Sequence, residues 1–138
     1  MKLTKNRLLT GGAYTILGIL TTIGPQTIFA VCDAMDGKFM KCHWTAQAEI
    51  GNGAIITLLG FLLFLSSHKI RVGLQIALLS LSVQTILLPN VLIGVCGGNH
   101  MSCRSLTLPA LNVIGAISII IGVINLIYLL RIKDKEHK

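Results

Sequence analysis

The chain has 138 residues, 53% of them hydrophobic and only 12% charged, with a mean hydropathy of +0.77 and a formal net charge of +7. That balance excludes an ordinary soluble domain, and four long apolar runs leave no length for a nucleotide-binding fold or a separate catalytic domain. Nucleic acid is excluded as a partner too, because the basic residues gather at the ends of the apolar runs, where membrane insertion already accounts for them.

The expected fold is all-α: one membrane domain over residues 1–138, a four-transmembrane-helix bundle with spans of approximately 8–31, 46–65, 70–93 and 106–130. Each run reaches the ~20 residues that cross a ~30 Å hydrocarbon core at ~1.5 Å per residue. The first run follows Lys2, Lys5 and Arg7 and ends in Phe29-Ala30-Val31-Cys32. It exceeds the ~7–15 residues of a signal-peptide core and has no Ala-x-Ala cleavage site, so a retained helix is expected. An outer loop, 32–45, then carries Cys32, Cys42, His43 and Trp44. The Trp44 indole suits the membrane interface, with its ring among headgroups and its N–H wet.

The second run opens at Thr45, an expected N-cap, and places Glu49 in or just past the first turn, where the helix dipole favours an acid. Two readings of Glu49 stay open. It is a rim residue, or it faces the bundle or a partner and pairs with His43 or Arg104 from the outer loops. An ionisable group in a membrane segment is costly enough to count as a site by default. Asn52, one turn on, and Asn112 on the fourth run at comparable depth would complete a polar contact or relay cluster. The third run carries Pro89, which removes a backbone donor and predicts a kink beneath the second outer loop, 94–105. The fourth run is followed by Arg131, Lys133, Lys135 and Lys138, so nine of the twelve basic residues fall on the side of the chain ends. The positive-inside rule then places both termini in the cytoplasm.

Gly11 and Gly18, Gly53 and Gly60, and Gly115 and Gly122 are each seven residues apart and so lie near one face of their helices. Small residues in such rows let helix backbones approach closely in lipid. The two outer loops also resemble one another. Val31-Cys32 answers Val95-Cys96, and Met40-Lys41-Cys42 answers Met101-Ser102-Cys103. Two helical hairpins as an internal repeat are one reading; two loops with similar needs are the other.

All four cysteines, Cys32, Cys42, Cys96 and Cys103, fall in those outer loops, as an oxidising compartment permits. Disulfides are expected. Three pairings exist and sequence alone does not choose, but Cys32 with Cys42 and Cys96 with Cys103 are favoured, because each pair closes a short loop within one repeat unit. Metal binding by His100, Cys103 and Cys96 is disfavoured, since oxidation removes the thiolates, and no metal is expected. No nucleophile stands beside a base, so no catalytic residue is assigned. Four spans with two cysteine-bearing loops resemble the DsbB type of quinone-linked disulfide oxidase and, more loosely, vitamin K epoxide reductases. That likeness implies thiol-disulfide oxidoreduction with quinone as cofactor; otherwise no cofactor is expected. The spacings Cys-x9-Cys and Cys-x6-Cys depart from the Cys-x-x-Cys of those enzymes.

The run MKCHWTAQAEIGNG, with the preceding VC and the later VC and Cys, resembles a bacterial membrane family catalogued as domain of unknown function 4418, over nearly the whole chain. The resemblance implies a multi-pass protein of the bacterial plasma membrane, encoded near ABC transporters of the MacB type. The expected function is association with another membrane protein in the bilayer, as an accessory subunit of an ABC-type transporter.

Overall fold

A computed structural model describes residues 3–28, 37–38, 41–101 and 103–136, the side chains of residues 3, 103 and 133–136 apart. Four helices carry the fold: α1 (Leu3–Thr27), α2 (Lys41–Leu65), α3 (His68–Leu87) and α4 (Leu108–Glu136). A π-helical turn, Leu88–Leu92, prolongs α3, and another, Cys103–Thr107, leads into α4. All four are long and apolar enough to cross a membrane, so the chain is an all-α, multi-pass membrane protein. The start of α1, the end of α4 and the Ser66-Ser67 turn lie at one end of the bundle, and the described cysteines lie at the other.

The helices do not begin and end where the apolar runs do. α1 starts at Leu3, five residues before the hydrophobic run, and its helix closes at Thr27 rather than 31. α2 starts at Lys41, so Thr45 is not its N-cap but stands one turn inside. α4 continues to Glu136 rather than 130. Hydropathy marks the part of a helix that sits in hydrocarbon, whereas intrahelical hydrogen bonding continues into the headgroup region. Pro89 widens the end of α3 into its π-turn. Its ring nitrogen cannot donate to Thr85, and the Ile93 N–H instead reaches the Leu88 carbonyl at 3.0 Å.

α1 packs chiefly on α2, and α3 on α4, so the bundle is two hairpins laid together. Glycines set the first contact. A Cβ at Gly53 would stand 2.7 Å from the Thr22 nitrogen and 2.8 Å from the Gly18 carbonyl, and one at Gly60 2.8 Å from the Thr15 nitrogen. Backbone therefore meets backbone, the mode lipid favours because it supplies no hydrophobic drive between helices. Gly115 packs against Ile86 and the Ser82 carbonyl, and Gly122 against Leu79 and the Tyr14 hydroxyl. Tyr14, Ile56, Leu63 and Leu78 fill the space between the hairpins.

Hydroxyls along the spans are satisfied locally. Thr22, Thr57, Ser82 and Ser118 each donate to the carbonyl four residues back at 2.7–2.8 Å. With no water at that depth, such back-bonding is the ready outlet for a serine or threonine.

Candidate functional site

The cysteine end is built from one face of α2 and the chain that leaves α3. Cys42, Thr45, Ala46, Glu49, Asn52 and Gly53 are all buried, a stripe at helical spacing turned into the bundle. Opposite them, the π-turn stops at Gly94, whose φ of +82° suits glycine and whose N–H caps the Leu88 carbonyl at 3.2 Å. The Gly94 carbonyl accepts the Thr45 hydroxyl at 2.7 Å. Two residues on, Cys96 meets Cys42, one turn before Thr45, with the two sulfurs 2.8 Å apart. The described cysteine contact therefore runs between the two loops rather than within either. Cys32 and the Cys103 side chain lie outside the described residues.

Glu49 is completely buried, two turns inside α2 rather than at its rim, and neither carboxyl oxygen has a hydrogen-bond partner. So it pairs with neither His43 nor Arg104. His43 is half-buried and stacks edge-on with Trp44 at 5.8 Å between ring centres; Trp44 is exposed, and so is Arg104. Asn52 turns to α3, donating to the Thr85 hydroxyl at 2.8 Å and the Leu81 carbonyl at 3.3 Å, while its own carbonyl oxygen stays unpartnered. Asn112 does not join this group. It accepts from Asn90 at 2.6 Å and ties α4 to the π-turn that Pro89 creates. Of the five residues expected to cluster, Glu49 and Asn52 alone share a buried face. Their oxygens are buried without a hydrogen-bond partner, a costly arrangement in a low-dielectric interior.

A second polar assembly crosses the other half of the bundle. Asn6 donates to Asn125 at 2.7 Å, Asn125 to Gln75 at 2.7 Å, Gln75 to the Tyr14 hydroxyl at 3.1 Å, and Tyr14 to the Ser118 carbonyl at 2.8 Å. All five are buried, and the chain links α1, α3 and α4. Attention to ionisable groups passes over it, although Gln75 and Asn125 stand out as uncharged polar residues within apolar runs. At the same end Arg71 is also buried, which its place at the edge of the third run conceals.

Neither the curated proteins nor the solved structures compared with the chain yield a match. A family model does match over residues 14–128, from the Tyr14 network through both cysteine loops into α4, and the chain belongs to the family described as Domain of unknown function (DUF4418).

Proposed function

We propose that the chain acts by association within the bilayer, as an accessory subunit of a larger membrane assembly in the bacterial plasma membrane, with both termini cytoplasmic. One observation carries this reading. Gly73, Ala77, Ser80 and Gln84 are exposed and form a single stripe on α3, directly opposite its buried face of Arg71, Gln75, Leu78, Ser82 and Thr85. Among the described residues nothing approaches the Gly73 position within 4 Å. Three small residues offer close approach to another helix, and the Gln84 amide, costly to leave in lipid, offers it a hydrogen bond. The partner is a transmembrane helix of another protein, and an ABC-type transporter is the assembly that the family resemblance implies.

Photo-crosslinking from position 77 in native membranes tests the reading. A discrete adduct that Gln84→Leu weakens and Gly73→Leu abolishes is expected. A chain that purifies alone and yields no adduct from this face overturns it.

The meeting of Cys42 and Cys96 supports a second reading, thiol-disulfide oxidoreduction. In it the two thiols give up two protons and two electrons to a quinone, which leaves as quinol, and the resulting disulfide passes to a substrate dithiol. Burial weighs against it: Cys42 is 1% and Cys96 7% exposed, whereas exchange requires an attacking thiolate to reach sulfur. Acid trapping with a thiol-alkylating reagent distinguishes the two. Mixed disulfides between this chain and other proteins would favour the oxidoreductase; cysteines that stay fully oxidised without such adducts would remove it.

A further inference from the structure

Away from the cysteines, where α1 begins and α2 turns into α3, lies a cavity of about 190 Å³ lined by Thr4, Arg7, Ser66, Ser67, His68 and Arg71. At ~30 Å³ per water molecule it has room for a tetrahedral anion and part of its hydration. We infer that this cavity is a phosphate-binding site, formed by the Arg7 and Arg71 guanidinium groups, the His68 ring and the open N-terminus of α3.

Burial and unmet hydrogen bonding point to an anion. Arg71 is only 4% exposed, and its Nε has no hydrogen-bond partner. Both ring nitrogens of His68 are buried without a partner as well. Arg7 stands close enough for its charge to act on Arg71, so two like charges converge on one small space. A buried guanidinium ordinarily comes with a counter-charge, and none of the described residues lining the cavity is acidic.

The backbone supports the same assignment. Ser67 occupies the N-cap position of the 20-residue helix α3, yet its side chain makes no capping bond. The first intrahelical bond runs from Arg71 N–H to the Ser67 carbonyl, so the N–H groups before it look outward at the positive end of the helix dipole. A helix N-terminus joined by two guanidinium groups and the Thr4 and Ser67 hydroxyls matches the donors that phosphate oxygens use, the Ser66 hydroxyl being spent on the Leu62 carbonyl at 2.7 Å. The cavity lies between the start of α1 and the turn from α2 into α3, and Thr4 and Ser67 are exposed at its mouth. A phosphate there can belong to a lipid headgroup or to a free ion, since basic pockets at membrane-helix ends accept the former and share the chemistry of the latter.

The test uses the full chain in an uncharged maltoside detergent. One arm titrates inorganic phosphate at ionic strength fixed with chloride and follows the melting temperature. The other measures retention of dioleoylphosphatidylglycerol against dioleoylphosphatidylcholine by native mass spectrometry. Saturable stabilisation by phosphate identifies the free ion; selective retention of phosphatidylglycerol without that response identifies the headgroup. In either case Arg71→Gln, and Arg7→Gln at the half-buried wall where folding is less at stake, weaken binding about tenfold, the factor for one lost charge-assisted hydrogen bond. Binding in neither arm, or binding that Arg7→Gln leaves unchanged, overturns the assignment.

Discussion

Glu49 is the residue whose surroundings least suit its chemistry. The oxygens of its carboxyl and of the Asn52 amide, one turn apart on the same buried face, have no hydrogen-bond partner. Glu49→Gln supplies an amide that can donate to Asn52 at nearly constant volume. The variant is expected to melt above the wild type, by about 1 kcal/mol or the worth of one buried hydrogen bond, measured by thermal unfolding in detergent. A loss of stability instead would mean that the carboxyl binds something the amide does not. Tyr14→Phe is the converse case. It removes the acceptor for the Gln75 amide, which is left without a partner, and the second donor to the Ser118 carbonyl, which keeps its bond within α4, and is expected to lower stability by about 1–2 kcal/mol, near the upper range for hydrogen bonds between membrane helices. Residue types announce such sites, as Glu49 does, but partners depend on rotation and depth. Asn52 and Asn112 stand at comparable depth in the sequence, yet one faces Thr85 and the other Asn90.

At the scale of helices, the distinction that matters is between glycines that admit a neighbouring backbone and glycines that face lipid. A Cβ at Gly18 would stand 2.6 Å from the Thr57 nitrogen and 2.9 Å from the Gly53 carbonyl, groups that cannot move without separating α1 from α2. Gly18→Val is expected to cost about 1–3 kcal/mol, the usual penalty of overpacking. Gly51, with nothing within 4 Å, is the control, and Gly51→Ala should be neutral or slightly stabilising in the same melting assay. The spacing of seven marks Gly11, Gly18, Gly53 and Gly60, and all four lie between α1 and α2. That much was legible, because a repeat near the helical period fixes a face whatever the partner is. The ends of the helices were not. Thr45 looks like an N-cap in sequence, but the helix begins four residues earlier, and its hydroxyl serves the Gly94 carbonyl in another segment. Only the folded chain shows that this carbonyl is near.

Across the whole molecule, the two hairpins are joined at several depths. Asn6, Asn125, Gln75 and Tyr14 tie them toward the chain ends, Asn52 and Thr85 tie them further along, and Thr45 with Gly94 and Cys42 with Cys96 tie them at the cysteine end. The last contact decides how much oxidation can contribute. A bond within one loop, such as Cys32 to Cys42, restrains ten residues, worth roughly 3 kcal/mol by chain entropy. One between Cys42 and Cys96 closes the 54 residues that separate them and restrains both hairpins, worth about 4 kcal/mol on the same scale. With their sulfurs 2.8 Å apart, a small shift would reach the ~2.05 Å of a disulfide. Peptide mapping under non-reducing conditions, on protein alkylated in its native membrane, should recover the Cys42 peptide joined to the Cys96 peptide. The Cys42→Ala/Cys96→Ala variant should then melt lower than the wild type. Recovery of Cys32 joined to Cys42 and Cys96 joined to Cys103 would show that each hairpin is stapled separately. The hairpins would then be held together by their buried polar contacts and packing alone, and reducing agent should leave their association unchanged.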